Sequence, residues 1–102
     1  MIYKVKARFD FGKADDFLRK LQDGTIEGQQ PDGPEIVNSM NRAIIESDGY
    51  VSWTEMCFCS TPLKHERATV YDTFFSDFKI QPISEHQSLE GVSFVKKLGQ
   101  DS

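Results

Sequence analysis

Apolar groups and cations alternate without a break from Tyr3 to Phe9, and that period of two is the strongest constraint on the fold. Tyr3, Val5, Ala7 and Phe9 fall on one side of an extended chain and Lys4, Lys6 and Arg8 on the other. The segment therefore reads as a strand with one buried and one wet face. Such a strand belongs to a sheet covered on one side by helices. Two segments have the spacing that such helices need. Ala14, Phe17, Leu18 and Leu21 form one apolar stripe, with Asp15 and Asp16 favoured by the helix dipole in the first turn and Gly24 placed to end the helix. Leu63, Val70, Tyr71, Phe74 and Phe75 share a second stripe with Arg67, after Thr61-Pro62, which suits an N-cap and a first helical position.

Between these helices, Pro31-Asp32-Gly33 suits a tight turn, and Pro34 suits the start of a further helix. Two arrangements follow. Ile36, Val37, Met40 and Ile44 extend one helical stripe, which would carry the helix over 34–46 and leave a three-stranded sheet. Asp48-Gly49, however, is a strong hairpin dipeptide. If the helix stops near Asn41, residues 42–46 become a strand that turns back into Tyr50–Cys59. The second arrangement is favoured because the long strand gains a local antiparallel partner. With Phe78–Ile83 as the last strand, the order is βαββαβ, an α+β ferredoxin-like sandwich with its helices on one face of the sheet. Residues 1–83 then form a single α+β domain. Residues 84–102 form a C-terminal extension, polar apart from Leu89, Val92, Phe94, Val95 and Leu98, that docks in part or stays mobile.

A chain of 102 residues with 38% apolar content can bury one core. Lys and Arg number 12 against 16 Asp and Glu, a net charge of −4, which disfavours nucleic acid as a partner. The stripe Lys4-Lys6-Arg8 is the local exception. There is no apolar run of membrane-spanning length, and the N-terminus lacks the pattern of a leader, so a soluble, cytoplasmic protein without a membrane partner is expected. Cys57 and Cys59 would sit about 6.6 Å apart with parallel side chains in a strand, which suits a disulfide poorly and reduced thiols well.

Both cysteines and the single tryptophan lie in Tyr50–Pro62. Strand alternation puts Val51, Trp53, Glu55, Cys57 and Cys59 in one row, and Tyr50, Ser52, Thr54, Met56 and Phe58 in the other. With the second row in the core, Trp53 and Glu55 stand on the open face beside Lys4, Lys6 and Arg8. Glu55 then pairs with those cations and Trp53 anchors a partner. This favours a small non-catalytic module, without a cofactor, that binds a protein partner or forms a homodimer or larger homo-oligomer through its open sheet face. The rival expectation is a thiol-based redox, metal-binding or small enzymatic site at Cys57, Cys59, Glu55 and His65. A helix N-terminus activates a thiol, His65 with Glu66 extends a ligand set, and a carboxylate beside an indole suits proton transfer. Enzymatic activity stays open. The sequence has no G-x-G-x-x-G, phosphate-loop or G-x-S-x-G pattern, and His65-Glu66-Arg67-Ala68-Thr69 lacks the second histidine of a zinc helix.

Overall fold

The computed structural model describes residues 1–58 and 60–100, without the side chains of Ser47 and Gln100. In chain order the elements are β1 (Ile2–Phe9), α1 (Ala14–Gln22), α2 (Gly33–Arg42), β2 (Ile44–Ile45) and β3 (Tyr50–Met56). A helical segment follows, in which α3 (Lys64–Glu66) passes through a π-helical turn at Arg67–Tyr71 into α4 (Asp72–Phe74). The chain ends with β4 (Phe75–Ile83), β5 (Val92–Ser93) and α5 (Phe94–Gln100). The strands form one antiparallel sheet in the order β4-β1-β3-β2-β5. The fold is α+β.

The hairpin prevails over the long helix. Helix α2 buries Ile36 and Met40, ends at Arg42, and is followed by extended Ala43. Ile44 and Ile45 pair with Ser52 and Val51. Asp48 and Gly49 take the left-handed φ values of 64° and 80° that reverse the chain. Strand β4 begins at Phe75, earlier than the expected Phe78, because Phe9 already pairs with Phe75 past a register shift between Lys6 and Arg8. Helix α3 starts later than Thr61-Pro62 suggests, after Leu63, which is buried in the left-handed conformation.

Strand parity is the main correction. In the β1–β3 ladder Val5 pairs with Trp53, Tyr3 with Glu55 and Ala7 with Val51. Trp53 and Glu55 therefore share the helix-covered face and are both 0% exposed. The reason lies in packing. The indole finds Tyr71 and Phe75 with ring centroids 5.2 Å away, and the largest apolar side chain goes where the helices cover it. Met56 and Phe58, expected in the core, are exposed, Phe58 at 88%. The face away from the helices carries Tyr50, Ser52 and Thr54, opposite Arg8, Lys6 and Lys4, and Ser52 and Thr54 are themselves buried there.

Residues 92–100 of the extension drawn at residue 84 contribute to the same core. Phe94 and Leu98 are buried, and Phe94 lies 4.9 Å from Phe9, ring to ring. Strands β4 and β5 sit at opposite edges, so residues 84–91 span the sheet. Thr54 Oγ1 and His86 Nδ1 are hydrogen-bonded at 2.9 Å, which places this crossing on the wet face. Among the described residues no helix is long and apolar enough to cross a membrane. Replacing Phe94 with Ala should cost about 3–5 kcal/mol in a chemical denaturation experiment. A loss below about 1 kcal/mol would mean that α5 is peripheral.

Candidate functional site

The end of β3 is tied down from two directions, and a third contact joins α3 to the start of α2. Cys57 N donates to Met1 O at 2.9 Å, and the N-terminal amine of Met1 donates to Cys57 O at 3.0 Å. Glu35, in the first turn of α2, accepts from Met56 N at 2.9 Å and faces Arg42 at 3.6 Å. His65 Nδ1 on α3 meets Asp32 Oδ2, just before α2, at 2.6 Å. A cavity of about 470 Å³ opens between these elements, lined by Pro31, Asp32, Glu35, Met56, Phe58 and His65.

Two carboxyl groups lie buried near this cavity. Glu55 Oε1 accepts from Trp53 Nε1 at 2.9 Å and from the Tyr71 hydroxyl, while Oε2 has no hydrogen-bond partner among the described residues. Burial pushes the Glu55 carboxyl up to about 8; the hydrogen bonds from Tyr71 and Trp53 oppose that rise, and the charges of Glu66 and Glu35 add to it. Glu55 is therefore a neutral acid at pH 7. Burial and the bonded Glu55 also hold the Tyr71 phenol well above its usual range. Glu66 is only 1% exposed. Burial raises its pKa, Asp32 adds to that rise, and a hydrogen bond with Cys57 opposes it. Asp32, His65 and Glu66 offer ligand atoms that all lie within 4.8 Å of one another.

Of the residues singled out in the sequence, Glu55, Cys57 and His65 come into one neighbourhood. Cys59 lies outside the described residues. Trp53 serves Glu55 as a buried donor rather than facing a partner, and Lys4, Lys6 and Arg8 sit on the opposite side of the sheet. Sequence reasoning missed Asp32, Glu35 and Tyr71. Asp32 reads locally as a turn residue, Glu35 as a first-turn acid and Tyr71 as part of an apolar stripe. Their partners lie between 16 and 33 residues away, so local spacing carries no signal for them. Comparison of the chain with protein-family models, curated proteins and solved structures found no match.

The raised Glu55 carboxyl makes stability depend on pH with a definite sign. Between its ordinary value of 4.5 and about 8 the unfolded chain binds fewer protons than the folded one. Stability should therefore fall with rising pH, by up to about 1.4 kcal/mol per unit across that window. Glu55→Gln should remove most of this slope while keeping the fold. Urea midpoints from about pH 5 to pH 9 test it, and a wild-type profile as flat as the variant's would refute the buried neutral acid.

Proposed function

We propose that the chain binds a divalent transition-metal ion through Asp32, His65 and Glu66, and that the neighbouring cavity admits a small ligand to the same ion. The observation that carries this reading is the approach of one imidazole and two carboxylate donors to within 4.8 Å of one another. Metal–ligand bonds of about 2.0–2.2 Å set neighbouring ligand atoms about 3–3.5 Å apart, so the widest pair must close by about 1 Å and the 2.6 Å His65–Asp32 hydrogen bond must open for both to ligate. Imidazole with carboxylate oxygen suits zinc, manganese or iron. Two acids held together, one of them buried, are costly without a cation and favourable with one. Three protein ligands also leave coordination positions free, and Asp32 and His65 line the cavity on that side. In this reading Cys57 supports Glu66 through a hydrogen bond and is not itself a ligand.

Isothermal titration with zinc or manganese tests this reading. His65→Ala and Asp32→Asn should each weaken binding by about tenfold or more, whereas Cys57→Ser should change it far less. Binding should tighten as pH rises, because the raised Glu66 carboxyl must lose its proton to ligate. A wild-type chain that takes up no ion, or an unchanged affinity in His65→Ala, would sink the proposal.

A second reading, contact with a protein partner or a second copy of the chain, draws support from the exposure of Met1, Met56 and Phe58 at one end of the sheet. Phe58→Ser should then abolish self-association in sedimentation experiments, and a wild-type monomer at every concentration would remove the homodimer. We also read β1 to β4 as a ferredoxin-like unit, with β5 and α5 added at one edge. Support comes from the antiparallel order β4-β1-β3-β2.

A further inference from the structure

The wet face of the sheet gathers positive charge in an acidic chain. Lys6 on β1 lies directly opposite Lys79 on β4, and Lys4 lies opposite Gln81. Lys6 Nζ and Lys79 Nζ stand 5.1 and 5.2 Å from the centre of the Tyr50 ring, and Arg8 Cζ stands 4.5 Å from it. Like charges directly opposite each other on neighbouring strands destabilise a sheet. The surrounding acids offset this only in part. Glu46 Oε2 pairs with Lys6 at 3.0 Å, and Asp77 accepts from the Tyr50 hydroxyl. Arg8 is engaged by Asp48 O at 2.9 Å and by the Tyr50 hydroxyl. Lys4 and Lys79 have no carboxylate within ion-pair distance among the described residues. Beside them lies a hollow of about 240 Å³, lined by Lys4, Lys6, Lys79, Ile80 and Gln81.

We propose that this hollow is an anion site that takes the phosphate of a small phosphomonoester. Lys4 and Lys79 supply the uncompensated charge, Lys6 is shared with Glu46, and the Gln81 amide supplies a neutral donor. Lysine suits this role because its ammonium is a mobile point charge that follows a phosphate without demanding planar geometry. A phosphate dianion would also relieve the repulsion between Lys6 and Lys79, so its binding should raise thermal stability. The hollow lies on the sheet face opposite the helices, so it is independent of the metal reading at Asp32, His65 and Glu66.

The experiment is a titration of the full chain with phenyl phosphate, inorganic phosphate and phenol, followed by backbone amide shifts and melting temperature. Phenyl phosphate should perturb the amides of β1 and β4 around Lys4, Lys6 and Lys79 and raise the melting temperature, while phenol does neither. Inorganic phosphate binding at the same amides would assign the affinity to the phosphate group itself. Lys4→Gln and Lys79→Gln should each weaken binding by about tenfold and the double variant should abolish it. Both side chains are on the wet face, and either variant serves alone should the other misfold. His65→Ala should bind phosphate as the wild type does, which keeps this test apart from the metal site. Three results would overturn the inference: equal affinity for phenol, unchanged affinity in the double variant, or an oligonucleotide bound with a salt dependence of many phosphates rather than one.

Discussion

Trp53 and Glu55 stand two residues apart on one strand, so whatever buries the indole buries the carboxyl as well. The helices cover Trp53 because it is the largest apolar group on β3, and the acid follows it beneath them. Tyr71 and Trp53 then supply the two donors that make a buried carboxyl tolerable, and loss of water does the rest by keeping it protonated. The placement of Cys57, and through it of Glu66, follows from the same parity. Reversing the strand would expose the indole and dismantle the acid cluster.

The cavity owes its position to a different device, the early stop of α2. Because that helix ends at Arg42, β2 can pair with β3, and the first turn of α2 comes to rest beside the end of β3. Glu35 accepts Met56 N there, and Asp32 meets His65 across the gap. A helix running to residue 46 would remove the β2 pairing that holds this arrangement. The left-handed Leu63 contributes by turning the chain so that His65 faces Asp32 while Glu66 faces inward.

Charge is segregated far more sharply than the net value of −4 suggests. Acids with raised pKa gather between the sheet and its helices, whereas Lys6, Arg8 and Lys79 gather on the other face around Tyr50 and Lys4 lies further along it, opposite Thr54. The two faces meet in β3, whose alternate residues serve one side and then the other. The crossing at 84–91 roofs part of the wet face through His86, which explains why Thr54 is buried although it points away from the helices. The charge around Tyr50 lies further along that face.

Local chemistry by itself determined the first strand, the α1 stripe and the α+β class, because each depends on periodicity within a few residues, and it favoured the Asp48-Gly49 turn over a helix through residue 46 without deciding it. It also singled out Glu55, Cys57 and His65 as residues able to do chemistry. Only tertiary structure decided which row of β3 is buried, since both rows contain aromatic and polar groups and alternation is symmetric between them. The same holds for Asp32, Glu35 and Tyr71, ordinary turn, first-turn and core residues until the fold brings in their distant partners. Docking of the segment that holds Phe94 and Leu98 was one of two readings the sequence allowed, and only the gap in the core that the pair fills decides it.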